Sequence, residues 1–387
     1  MSADPKSSGL RIALVAGESS GDHLAAHLMA ALKEKLPQVS FVGIGGTNMR
    51  AQGMEIWWPL EKLAVMGYVE VLKRYREISS IRRALKARLL SEKPDLFIGV
   101  DAPDFNLDLE IALRTKGVKT MHYVSPSIWA WRGGRIKKIA KAADRVLALF
   151  PMEPPLYKQA GIPVTYVGHP LADQISSTTD KRAMREKLGL PQDKPVYALL
   201  PGSRQSEVES LGETFIRAAR LLHERVPNAL FLVPLITRET RLAFEVARYK
   251  QAAQDLPFHI VFGHTKEAMG AADAVLVASG TATLEAALIK RPMVIAYKLS
   301  PLTYKLMKRR ALLPYVGLPN ILAGRFIVPE LLQDEATPEK LADALLKEAA
   351  PERASELDVE FARIHNTLRQ NTAEKAAAAV LDVLNQK

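Results

Sequence analysis

Short apolar, β-branched runs alternate with longer amphipathic stretches along nearly the whole chain. That alternation predicts a parallel sheet covered by helices. In the first half, strands are expected at 11–16, 40–44, 96–100, 120–124, 145–150 and 164–167, with helices such as 23–36 and 136–142 between them. A linker-like polar segment, SSTTDK at 176–181, interrupts the pattern, which then starts again. Strands are expected at 197–200, 229–233, 259–262, 274–277 and 293–296, and helices at 211–226, 282–289 and 338–348. The fold class is therefore α/β, with two successive Rossmann-like, doubly wound domains at 1–175 and 176–355. A helical tail at 356–387, Ala-rich near its end, follows. Two such units imply a ligand cleft at the carboxyl ends of their strands.

Composition narrows the picture. At 387 residues the chain is long for one core and comfortable for two. It contains no cysteine, which excludes disulfides, thiolate metal sites and a cysteine nucleophile. No window approaches the roughly 18–20 uninterrupted apolar residues that span a bilayer. The polar N-terminus MSADPKSSGL lacks the apolar stretch of a signal peptide, so a cytoplasmic location is expected. The formal net charge of +11 suits anionic partners, or simply a solubilising surface.

Candidate chemistry lies in loops at four predicted strand ends. In AGESSGD, Gly17 and Gly21 allow a tight turn, Ser19, Ser20 and Asp22 can cap the next helix, and exposed N–H groups would suit a phosphate or sugar oxygen. An ordinary βα turn explains the same residues. The GxGxxG spacing of dinucleotide binders is absent; GIGG at 43–46 is a weak imitation in the wrong place. In GVDAPDFN, Asp101 directly follows an apolar strand, where a partly desolvated carboxylate can act as a general base. Asp104 is its partner or a helix cap, and without nearby His a metal reading of the pair is weak. In PGSR, Gly202 and Ser203 turn the chain and Arg204 offers a fork of donors shaped for a diphosphate, although surface Arg is common. In ASGTATLE, Ser279, Gly280 and Thr281 open a helix, and Glu285 one turn on can accept both hydroxyls of a ribose or stand as a solvated charge.

Taken together, VAGESSGD, GVDAPDFN, HYVSPSIWAWR (His122 to Arg132), LLPGSR, ASGTATLE and YVGLPNILAGR (Tyr315 to Arg325) resemble, in order and along nearly the whole chain, the motifs of the lipid-A-disaccharide synthase family. The resemblance implies a GT-B glycosyltransferase whose tail helix packs back on the first domain. It implies transfer from UDP-2,3-diacylglucosamine to the 6-hydroxyl of 2,3-diacylglucosamine 1-phosphate, with inversion, giving a β-1,6-linked lipid A disaccharide 1-phosphate and UDP. No cofactor is implied, because the UDP-sugar is a substrate, and no metal. The roles it suggests are Asp101 as base and Arg204, with N–H groups around Gly202 and Ser279–Thr281, as stabiliser of the leaving UDP. Glu285 would hold the ribose. Glu18, Ser20 and Asn320 would line the site, Glu18 among the catalytic candidates. His122, Trp129 and Trp131 would shape the acceptor pocket, or pack as core. Other GT-B enzymes, such as peptidoglycan-type transferases or UDP-sugar epimerases, lack HYVSPSIWAWR and GVDAPDFN. Aromatics at 6% argue against a nucleic-acid reader.

Acylated substrates bring the enzyme to a bilayer. From Leu63 to Leu90, Val71, Leu72, Tyr75, Ile78, Ile81, Leu85 and Leu89 recur at helical spacing among Lys73, Arg74, Arg76, Arg82, Arg83, Lys86 and Arg88. Such a basic amphipathic segment suits an anionic inner-membrane surface, while a helix turning its stripe to a sheet explains it equally well. Basic runs at 305–310 and 132–141 would add to the same face. A homodimer formed by exchange of the tail is compatible with the sequence, and nothing in it requires one.

Overall fold

The computed structural model describes residues 9–63, 68–130, 133–300, 304–305 and 312–386. It divides into two compact units, Met1–Asp173 with Leu368–Lys387, and Gln174–Thr367. The first is built on β1 (Arg11–Ala16), β2 (Ser40–Gly45), β3 (Glu55–Pro59), β4 (Leu96–Val100), β5 (Lys119–Tyr123), β6 (Arg145–Ala148) and β7 (Val164–Tyr166). These form one sheet in the order β3-β2-β1-β4-β5-β6-β7, parallel throughout. The second is built on β8 (Val196–Leu200), β9 (Leu230–Leu235), β10 (Phe258–Phe262), β11 (Ala274–Ala278), β12 (Met293–Tyr297) and β13 (Glu330–Leu332). Its parallel sheet runs β10-β9-β8-β11-β12-β13.

The central strands are buried on both faces, as their unbroken apolar runs require. On one face of the first sheet, Ile12, Leu14 and Ile98 pack with Leu28 and Leu32 of the helix Ser19–Lys35; on the other, Ala13, Val15 and Phe97 pack with Ile81, Leu85 and Leu89. Strand order reverses direction between β1 and β4, and between β8 and β11. Helices there leave toward opposite faces, which opens a crevice beyond the carboxyl ends of each pair.

The chain returns to the first unit at Leu368. Residues 356–367, expected in the tail, belong to the helix Pro351–Leu368 of the second unit. A break at Asn371, φ 55°, separates it from the helix Thr372–Asn385. Ala376, Ala377, Val380 and Val383 of that last helix join the core around β1. Both its ends are clamped. The Asp173 carboxylate accepts from the N–H groups of Gln370 (3.1 Å), Asn371 (3.0 Å) and Thr372 (2.7 Å). Lys119 Nζ donates to the carbonyls of Val383 (2.9 Å) and Leu384 (3.0 Å). Negative charge at the first turn and positive charge at the last also complement the helix dipole.

Asp173→Ala is expected to cost about 2 kcal/mol in urea unfolding, because three backbone donors lose a charged acceptor. Amide exchange should quicken first in Thr372–Asn385. Uniform exchange across the unit would mean that apolar packing alone holds the helix.

Candidate functional site

In the first unit β1 and β4 pair to their last residues, Ala16 with Val100, so the loops carrying Glu18 and Asp101 leave side by side. A Cβ on Gly17 would lie 2.7 Å from the Cβ of Ala102, so close approach of the two loops, rather than a turn, requires glycine there. Gly21 lies inside the helix Ser19–Lys35 and would meet only ordinary contacts. Glu18 is the N-cap residue of that helix and Ser20 is in its first turn, both exposed. Asp22 does not cap its own helix. Buried, it accepts from the N–H groups of Gly46 (2.6 Å), Asn48 (3.0 Å) and Met49 (3.2 Å), and so ties GIGG and the helix Thr47–Ala51 in place.

Beyond β4 the backbone is strained. Asp101 and Ala102 take φ of 53° and 43°, and Val124, after the neighbouring β5, takes 77°. Left-handed geometry at a β-branched residue is costly, and such outliers gather at functional sites. It also explains why β5 stops at Tyr123 although an extended strand to 124 was expected. The Asp101 N–H donates to the Tyr123 carbonyl (2.8 Å), and buried Asn106 donates to the Asp101 carbonyl (2.8 Å). The Asp101 carboxyl is half-buried. Burial raises its pKa, and positive charge on His122 and a hydrogen bond from the Ala102 N–H pull it back.

His122 lies opposite Gly99 across the β4–β5 pair and is 0% exposed, so it cannot line an acceptor pocket as expected. Its Nδ1 sits 2.7 Å from Oε1 of Glu110, equally buried on the helix Pro103–Arg114. A Cβ on Gly99 would fall 2.1 Å from that oxygen, so the glycine makes room for the pair. Asp104 neither partners Asp101 nor caps its helix; it is paired with Arg135. Trp129 donates from Nε1 to Glu153 (3.1 Å), and Trp131 and Arg132 lie outside the described residues.

In the second unit β8 and β11 pair through Leu200 and Val277, which brings the PGSR and ASGT loops together. Gly202 has φ 142°, and its place would be blocked for any side chain by Glu207, whose Cβ is 2.3 Å from a built Cβ. Glu207 is the residue that sequence reasoning missed. Its carboxylate accepts from the N–H groups of Ser203 (2.9 Å) and Arg204 (3.3 Å), so these donors are turned to a protein carboxylate and not to a ligand. The Arg204 guanidinium is 52% exposed, with one long contact to Glu207 (3.5 Å). Gly280 and Thr281 are exposed at the start of the helix Thr281–Leu288, with half-buried Ser279 just before. Glu285, one turn on, is half-buried; burial raises its pKa, Lys266 opposes this and Glu267 adds to it.

Asn320 belongs elsewhere. It is fully buried, donates to the Val328 carbonyl (2.9 Å) and Glu330 (2.8 Å), and accepts from the N–H groups of Ile327 (2.7 Å) and Val328 (3.0 Å). All its hydrogen-bonding capacity is spent within the protein here, so it fastens a loop. Glu330 continues that fastening through the N–H groups of Val316 and Gly317, both at 2.9 Å.

The basic segment divides. Residues 64–67 and the run 306–310 lie outside the described residues, and of the side chains at 68–75 nothing is described. In the rest of the helix Tyr68–Glu92 the apolar stripe faces the sheet: Ile81, Leu85 and Leu89 are buried core, so none of them can enter a bilayer. Arg82 pairs with Asp108 (3.1 Å), and Arg88 pairs with Glu92 (2.7 Å) and lies over Trp57. Arg76, Arg83 and Lys86 are exposed. Among the described residues no helix is long and apolar enough to cross a membrane, and no cluster of His, Asp and Glu could hold a metal.

Comparison with known proteins gives a consistent picture. The profile of a family described as lipid-A-disaccharide synthetase matches residues 12–383. The lipid-A-disaccharide synthase of Dechloromonas aromatica is 65% identical over 380 residues, covering 98% of this chain and 100% of its own. That of Chromobacterium violaceum is 58% identical, covering 97% of each chain. Among solved structures, MurG of Acinetobacter baumannii (TM-score 0.56, 17% identity, 98% of this chain and 100% of its own) shares the fold. So does the UDP-GlcNAc 2-epimerase of Neisseria meningitidis (TM-score 0.63, 12% identity, 97% and 99%). Both sheets and their interleaved helices thus follow the two-unit α/β plan of GT-B glycosyltransferases.

Near the carboxyl ends of β6 and β7, two buried groups oppose one another in their response to pH. Burial pushes the Glu153 carboxyl up to about 7, against hydrogen bonds from Phe150, Trp129, Leu149 and Ser125. Burial also lowers the His169 imidazole to about 4, against Asp173. Folded Glu153 keeps a proton that the unfolded chain has lost, so it makes stability fall as pH rises from its ordinary value of 4.5 to about 7. Folded His169 lacks a proton that the unfolded chain holds, so it makes stability rise from about 4 to 6.5. The two slopes largely cancel in the native protein. Glu153→Gln should unmask the second, with urea-unfolding stability climbing by roughly 3 kcal/mol between pH 4 and 6.5. A flat profile in that variant would show that folded His169 keeps its ordinary proton affinity, and a native profile as steep as the variant's would show that Glu153 is ionised throughout.

Proposed function

We infer the mechanism from one premise: the chain belongs to the lipid-A-disaccharide synthase family. It is a glycosyltransferase that forms the lipid A disaccharide. We propose UDP-2,3-diacylglucosamine as donor and 2,3-diacylglucosamine 1-phosphate as acceptor. The acceptor 6-hydroxyl oxygen attacks the anomeric carbon on the face opposite UDP. The bond from that carbon to the diphosphate oxygen breaks, its electron pair leaves with UDP, and the α-linked donor becomes a β-1,6-linked product. The alternative activities, a peptidoglycan-type transferase or an epimerase, have only fold-level likeness in their favour, at 17% and 12% identity.

Asp101 is the base that takes the hydroxyl proton. The observation that carries this is its half-buried carboxyl on a strained strand end, at the crevice between β1 and β4 and beside the Glu18 loop. Glu18 and Ser20 flank the acceptor. In the second unit the Arg204 guanidinium and the start of the helix Thr281–Leu288, with Ser279 and Gly280, stabilise the charge that grows on UDP. Glu285 accepts from the ribose. Gly202 serves indirectly, through the Glu207 contact that aims Arg204. No step calls for a metal.

The enzyme works at the cytoplasmic face of an anionic membrane, through exposed cations such as Arg76, Arg83 and Lys86 rather than through the buried stripe behind them. No nucleic acid is involved.

Asp101→Asn should lower turnover at least about 10²-fold with UDP affinity nearly unchanged; retention of a tenth of the rate would remove Asp101 from its role. Arg204→Ala should weaken UDP binding in calorimetry and slow transfer, and unaltered donor kinetics would count against it. In cosedimentation, binding to anionic vesicles should fall as salt rises. Equal recovery with neutral vesicles would defeat the electrostatic account.

A further inference from the structure

Among the described residues, three buried polar atoms beneath the Asp101 strand end have no hydrogen-bond partner: His122 Nε2, Glu110 Oε2 and Asn106 Oδ1. Buried polar atoms are mostly hydrogen-bonded, so an orphaned ring nitrogen on a histidine with 0% exposure calls for a physical reason. Here Nδ1 is engaged by Glu110 at 2.7 Å and the outer nitrogen is left over. The surroundings are built for this arrangement. Glycine at 99 admits the Glu110 carboxylate over the strand, and Asn106, one turn before Glu110, fixes the Asp101 carbonyl.

Charge decides where the protons are. With both side chains at 0% exposure, the low-cost state of the pair carries no net charge. Two arrangements satisfy that: imidazolium with carboxylate, or neutral imidazole with carboxylic acid. In either one the shared proton lies between Nδ1 and Oε1, and Nε2 carries a hydrogen. A pair with one proton fewer would place a bare negative charge behind a second carboxylate. The charged groups that act on His122 are Glu110 on its helix, Asp101 on the neighbouring strand end, and Arg135, itself paired with Asp104.

We propose that Glu110 and His122 are positioning residues for the transfer, a buried pair whose outer imidazole N–H is presented to the Asp101 carboxyl. This rests on Asp101 as the base. Nε2 and the Asp101 carboxyl are not hydrogen-bonded in this structure, so the N–H is drawn to the carboxylate when the acceptor is seated, orients it toward the hydroxyl and keeps it ionised at neutral pH despite its partial burial. When the hydroxyl proton moves to Asp101, the pair keeps its own protons; nothing beyond that single transfer is needed.

The test compares variants by the pH profile of kcat, with UDP affinity and thermal melting measured alongside. His122→Phe with Glu110→Met replaces the pair by apolar groups and leaves no orphaned charge. We expect the acidic limb of kcat to move up by about one pH unit and kcat at pH 7 to fall at least about 10-fold, with UDP affinity unchanged. A folded double variant with the native limb and rate overturns the proposal. Should it fail to fold, His122→Gln and His122→Asn decide: only the longer amide carries an N–H near the Nε2 position, so Gln should exceed Asn at least about 10-fold in kcat. Equal rates overturn the proposal. Asp101→Asn, assayed in parallel, separates the two readings. If it retains activity the base is elsewhere; if it is inactive while the pair variants behave as native, only the pair is dismissed.

Discussion

Parallel strands can open a crevice only where successive connections leave the sheet on opposite faces, and each unit of this chain has one such place. β1 and β4 flank it in the first unit, β8 and β11 in the second, and the loops with candidate chemistry follow those four strands. The dependence runs one way. Were β4 paired anywhere but beside β1, Gly17 and Ala102 would not touch, and Glu18 and Asp101 would not share a strand-end edge. Strain at Asp101, Ala102 and Val124, of order 1–3 kcal/mol for each residue, persists because strands and helices packed on both sides over-determine these backbones.

Hydrogen-bond accounting separates fastening residues from the others. Asp22 and Asn320 sit in distinctive motifs, yet their hydrogen bonds run within the protein and account for them as staples between loops, and Glu330 joins Asn320 in that fastening. Glu207 likewise absorbs donors that an empty loop would have offered to a phosphate. Around His122 the ledger stays open, in a region where desolvation makes every unmet donor or acceptor expensive.

The central strands could be read from their unbroken apolar runs, since burial on both faces removes polar positions. The edge strands β3 and β13 could not, because EIWWP and the short ELL are half-buried and read as loop. The helix Gln205–Arg225 begins six residues before the expected start at 211: Glu207, three residues past Arg204, closes its first turn, a capping signal that the apolar pattern does not carry. The strand-end position of Asp101 was legible because it follows an apolar run directly. The pairing of His122 with Glu110, 12 residues apart in sequence, was not: it depends on β4–β5 register and on the helix between them, which no local pattern encodes. The stripe at 78–89 fitted a membrane or a sheet equally well by period alone, and only the packing against Phe97 and Val15 decides it for the residues described.

The clamp at Asp173 and Lys119 has a consequence for synthesis. The helix Thr372–Asn385 completes the core around β1, yet it is translated after the whole of the second unit. Emerging in vectorial order, residues up to 173 have their sheet but an uncovered apolar strip where Ala376, Val380 and Val383 will sit. The intervening unit is contiguous and meets no such delay. The core of the half bearing Asp101 thus closes only once residues that follow the second unit have emerged.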